Sequence, residues 1–121
     1  MTARGVRANF GRYADEQTAL STIVARLKDA LDPQAIWLFG SRAQGNARPD
    51  SDFDLLVVAK PGGSFGCDDY ELVDRPLRDT GIGADIVPCD LDVFKASLGL
   101  KTSFVRRIVD SGRLIYGEVP A

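Results

Sequence analysis

Leu38-Phe39-Gly40-Ser41-Arg42-Ala43-Gln44-Gly45-Asn46-Ala47-Arg48-Pro49-Asp50-Ser51-Asp52-Phe53-Asp54-Leu55 is the stretch whose reading decides the fold. It enters from the apolar run Ile36-Trp37-Leu38-Phe39 and leaves into Leu55-Leu56-Val57-Val58, so two short buried strands bracket a polar loop. Residues two apart in an extended segment project to one face, which aims the carboxylates of Asp52 and Asp54 together at the mouth of the second strand. Converging carboxylates hold each other's protons more tightly unless a cation lies between them, and hard oxygen donors suit magnesium. At the other end of the loop, Gly40 lets a ligand approach the backbone. A helical turn beginning at Ser41 offers free amides and a hydroxyl to phosphate oxygens. Phosphate and metal would therefore meet at one place.

The individual pieces are common. An Asp-x-Asp pair before a strand is ordinarily a solvated turn, and Gly40-Ser41 alone is a turn as well. Specificity comes from the order: strand, Gly-Ser, a loop containing Gly45, Ser51-Asp52-x-Asp54, apolar strand. Two rival motifs fail on spacing. Gly40 and Gly45 fit the first part of a Walker A loop, but Asn46-Ala47 stands where Lys-Ser/Thr is required. Asp50, Asp52 and Asp54 match the first ligands of a calcium loop, yet Leu55 takes the glycine position and Pro61 that of the bidentate glutamate.

Further along, Ala84-Asp85-Ile86-Val87 reads as a strand, and a carboxylate in such an element needs a partner or a purpose. A cation would supply one; the plainer alternative is that Asp85 caps a turn after Gly83. The remaining acidic residues, among them Asp68, Asp69, Asp74, Asp79, Asp90, Asp92 and Asp110, read as surface or capping groups.

The segment Leu38 to Leu55 resembles the signature of the nucleotidyltransferase superfamily related to polymerase beta. The chain from about residue 20 to 118 is most similar to the minimal nucleotidyltransferases of bacteria and archaea. That resemblance implies an α/β fold, a single polymerase-beta-like domain whose small mixed central sheet is flanked by helices. It implies Asp52, Asp54 and Asp85 as catalytic residues holding two magnesium ions, with Gly40, Ser41, Arg42 and Ser51 binding the nucleotide. It implies transfer of NMP to a hydroxyl: AMP from ATP to a tyrosine of a partner HEPN-domain toxin, the chain acting as antitoxin of a toxin–antitoxin system. One departure is Gln44, where relatives carry an arginine before the second glycine. Two other readings stay open. One is transfer to a small molecule, as in aminoglycoside nucleotidyltransferases, with a partner chain or a homo-oligomer walling in the acceptor. The other is a module that binds a partner or senses ATP and transfers nothing.

Composition narrows the field. With 121 residues the chain is about one domain, too small for a separate substrate domain. A formal net charge of −2 gives no general attraction to a long nucleic acid. Arg42 and Arg48 nonetheless flank the phosphate site, whereas Arg106-Arg107 reads as a solvated helix face. With no histidine, and with Cys67 and Cys89 at no metal-ligand spacing, an ordinary zinc site and Ser-His or Cys-His nucleophilic systems are excluded. The amino terminus lacks a secretory apolar run and no segment is long enough to span a bilayer, so the expected compartment is the cytoplasm with both thiols reduced.

Residues 1–14 carry no clear periodicity and are expected to form an extension of uncertain order, followed by the nucleotidyltransferase domain at 15–121. Ala19, Leu20, Ile23, Val24, Leu27 and Leu31 recur at helical spacing up to Asp32-Pro33. The predicted elements after that helix are a strand at 35–39, a strand at 55–59, and a mobile loop from Lys60 to about Gly66. A helix from Asp69 to about Arg78, interrupted at Pro76, then leads to a strand at 84–88. A helix capped by Asp90, a last helix ending at Gly112 and a short edge strand around Leu114-Tyr116 complete the chain.

Overall fold

The computed structural model describes residues 8–119; the parts of the expected extension and tail at 1–7 and 120–121 lie outside them. Helix α1 spans Glu16–Leu31 and begins where the Asp15 carboxylate accepts the Thr18 amide at 2.7 Å. Its inward face is Ala19, Leu20, Ile23, Leu27 and Leu31, and it stops where Asp32 adopts a left-handed conformation (φ 45°) ahead of Pro33.

Four strands follow the expected order. Strand β1 is Ala35–Phe39, β2 is Phe53–Val58, β3 is Ala84–Cys89 and β4 is Arg113–Gly117. They form one mixed sheet, β3-β2-β1-β4, in which β2 and β3 run parallel and the pairs β1–β2 and β1–β4 run antiparallel. Strand β2 starts two residues earlier than the apolar run suggests, because Phe53 is fully buried and its amide reaches the Gly83 carbonyl at 2.9 Å. Asp54 is thereby inside the sheet. Pro88 is tolerated in β3, which lies at the sheet edge.

The short helix α2, Ser41–Gln44, leaves β1 directly. Helix α3 covers only Tyr70–Asp74 and passes into a 3₁₀ segment, Arg75–Thr80, at the point where Pro76 removes an amide donor. Helices α4, Leu91–Leu98, and α5, Phe104–Ser111, are capped by Asp90 and Ser103. Alternation along the strands sends Ile36, Leu38, Phe53, Leu55 and Val57 towards α1, and Ala35, Trp37, Leu56 and Val58 towards α4 and α5. The sheet is thus covered on both faces, as the uninterrupted apolar run of β2 requires. On the second face Trp37 and Phe94 meet with ring centroids 5.2 Å apart. Among the described residues no helix is long and apolar enough to cross a membrane, and both cysteines are free.

Candidate active site

The site is built where β1 ends. Phe39 pairs across the ladder with Asp54, and the chain then turns at Gly40 with φ 72° and ψ −158°, a conformation open essentially to glycine alone. A side chain at Gly40 is also excluded by space, since a Cβ there would overlap the Oδ2 of Asp54. Glycine therefore does two things at this position: it permits the turn, and it lets the carboxylate lie against the backbone at the start of α2.

Asp85 is the in-register partner of Asp54 on the parallel strand β3, so both side chains leave the sheet on the same face. Asp52 stands two residues before Asp54 at the entrance to β2. Their proximity is felt electrostatically: burial first, then the charges of Asp85 and Asp52, hold the Asp54 carboxyl above the usual carboxylate range, with no cation or donor opposing them among the described residues. The trio does not close around a point. Among the described residues no three acidic or thiol side chains are gathered as a finished ligand set. One oxygen of Asp52 is held by Asn9, whose Nδ2 donates to its Oδ1 at 2.5 Å.

The expected nucleotide contacts divide. Gly40 and Ser41 lie at the turn, beside Asp54, and Ser41 is half-buried. Arg42 and Ser51 are both engaged in contacts within the protein. The Arg42 guanidinium is buried, only 3% exposed in its side chain, and pairs with Glu16 at 2.7 Å. Its Nε and Nη2 donate to the Ser51 carbonyl at 3.1 and 2.7 Å, and Nη2 reaches the Pro49 carbonyl at 3.0 Å. The rings of Phe53 and Phe10 lie 4.4 and 5.1 Å from it. A guanidinium so enclosed braces the loop from Arg48 to Ser51. The Ser51 hydroxyl accepts the Arg48 amide at 3.0 Å and closes the same loop. Gln44, in the place where an arginine was expected, donates to the Ser111 carbonyl at 3.1 Å and ties α2 to the end of α5.

A half-buried carboxylate flanked by two like charges, with no donor or cation facing it among the described residues, is unfavourable by itself and is the natural seat of a hard cation. The oxygen donors of Asp52, Asp54 and Asp85 fit magnesium in kind. Asn9 and Phe10 had no signal in the sequence: they precede the first periodic element and reach the site only through the tertiary fold.

Residues 21–120 match the family model described as polymerase beta, nucleotidyltransferase. No curated protein matches the chain in sequence. Among solved structures, a toxin–antitoxin complex with AMP-PNP is similar at 25% identity and a TM-score of 0.56, with 81% of this chain and 73% of that one covered. A mutant of the toxin–antitoxin pair MntA-HpeT aligns at 25% identity with a TM-score of 0.50, covering 87% of this chain and 75% of its own. A Sulfolobus solfataricus protein described as a nucleotidyltransferase shares the fold at 22% identity and a TM-score of 0.52, covering 89% and 94%.

Proposed function

Because the chain belongs to the polymerase beta nucleotidyltransferase family, we propose that it transfers AMP from ATP to a hydroxyl, that of a tyrosine on a partner HEPN toxin, and so acts as an antitoxin. The observation that carries the chemistry is the placement of Asp54: pressed against Gly40, in register with Asp85, and flanked by the charges of Asp85 and Asp52 with no opposing cation among the described residues. The antitoxin role is supported by the likeness to a toxin–antitoxin complex with AMP-PNP, at 25% identity.

In this reading Asp52, Asp54 and Asp85 hold magnesium, two ions in all, and the amides at Gly40-Ser41 meet the outer phosphates of the NTP. Bound there, the metal supplies the positive charge that offsets the triphosphate and the charge developing during transfer. Asp85, the most exposed end of the register pair, accepts the proton of the acceptor hydroxyl as that oxygen bonds to the α-phosphorus and pyrophosphate departs. Arg42 contributes indirectly, by fixing the loop that carries Asp52.

The test is transfer of label from α-labelled NTPs with magnesium, in the presence of the co-expressed partner. ATP should label the partner, and Asp52→Asn should lower the rate at least about 100-fold while leaving the Tm within about 2 °C. A variant that labels the partner at the wild-type rate contradicts the assignment.

A further inference from the structure

Asn9 lies outside the residues that match the family, yet it is bonded to one of the proposed metal ligands. The segment that carries it is seated by contacts along its length. The Asn9 amide donates to the Pro49 carbonyl at 2.7 Å, its carbonyl accepts from Gly83 at 3.2 Å, and Phe10 bridges to Ile82. The Phe10 ring lies 6.3 Å from that of Phe53 and beneath the Arg42 guanidinium. Gly11 packs so tightly on the Thr80 carbonyl that a Cβ would overlap it. Opposite Asn9, Gly83 leaves the space the amide occupies: a Cβ at Gly83 would overlap the Nδ2, Cγ and Oδ1 of Asn9.

We infer that Asn9 is a positioning residue, which holds Asp52 through Oδ1 so that the other oxygen is presented towards Asp54 and Asp85. This rests on the nucleotidyltransferase reading of the trio. The physical basis is general: a ligating carboxylate left free rotates, and a partner bonded to one oxygen fixes which lone pairs face the ion. Asn9 suits the task because its amide donates to an anion without adding charge, and because the strap on which it sits joins the loop before β2 to the turn before β3. It therefore ties together the approaches to two of the three carboxylates.

The experiment measures manganese binding directly, by titration in the presence of a nonhydrolysable ATP analogue, alongside the metal dependence of transfer, for the full chain and three variants. Asn9→Ala should weaken manganese binding about 10- to 100-fold and raise the metal concentration for half-maximal transfer in step. At saturating metal the transfer rate should recover towards wild type, a split that loss of folding would not produce. Gly83→Ala, which displaces the amide from the other side, should reproduce the shift. The double variant Asn9→Ala/Gly83→Ala should bind no more weakly than Asn9→Ala, since the three atoms nearest to a Cβ at Gly83 all belong to the Asn9 amide that the first substitution removes. Unchanged or tighter manganese binding in Asn9→Ala, with wild-type transfer intact, overturns this inference and leaves the nucleotidyltransferase reading standing. A wild-type chain that neither binds manganese nor transfers overturns both.

Discussion

At Asp54 burial and the charges of Asp85 and Asp52 act in one direction, favouring the protonated form in the folded chain. The consequence for stability has a definite sign. A carboxyl whose folded-state proton affinity is raised contributes stability at pH below the ordinary carboxylate range, and that contribution is lost as pH rises through its folded-state value. At neutral pH the metal-free chain therefore carries a destabilising charge there. Asp54→Asn should raise the metal-free Tm at pH 7 by a few degrees, with the gain vanishing at acid pH; a lower Tm at pH 7 in calorimetry contradicts the electrostatic account. The placement of Asp52 and Asp54 at the start of one strand was legible from their spacing and the flanking apolar runs, and that of Asp85 on a neighbouring strand from the third apolar run. Arg42 was legible as a cation but not as a buried one. Its enclosure depends on Phe10, Glu16 and Phe53, from elements that local sequence does not bring together. Asn9 meets Asp52 across 43 positions of sequence, which no periodicity reports.

Among the elements, those with strong local signals were readable to within a residue or two. Strand β1 has the expected limits, α4 is capped by Asp90 at 3.1 Å to the Val93 amide, and α5 ends before Gly112. Where the outcome differs, a tertiary contact decides it: Phe53 extends β2 backwards because it is buried against the first core, beyond the reach of the apolar-run argument. The Ser103 side chain spans the turn between α4 and α5. The Ser103 hydroxyl donates to the Ser97 carbonyl at 2.6 Å and accepts the Arg106 amide at 3.0 Å, joining the end of one helix to the start of the next. Ser103→Ala should cost about 1 kcal/mol in chemical denaturation, with Asp54 and its neighbours undisturbed. A cost near zero means that solvent replaces both bonds.

For the whole molecule, the mixed sheet covered on both faces is the frame that makes the site possible. The parallel β2–β3 pair sets Asp54 beside Asp85, and the antiparallel β1–β2 pair sets Gly40 over Asp54. The residues that the sequence marked as chemically unusual fall at the meeting of these two pairings. The N-terminal strap then reaches around to Asp52 from a segment that composition leaves unassigned. What the sheet does not do alone is close the three carboxylates into a finished cage, and a cation would supply the attraction that draws them in. The most direct measurement is anomalous scattering at the manganese edge from crystals grown with manganese and a nonhydrolysable ATP analogue. The account predicts manganese within coordinating distance of carboxylate oxygens of Asp52, Asp54 and Asp85, with the triphosphate running to Gly40-Ser41. Nucleotide bound elsewhere, or manganese seated away from Asp54, would contradict it.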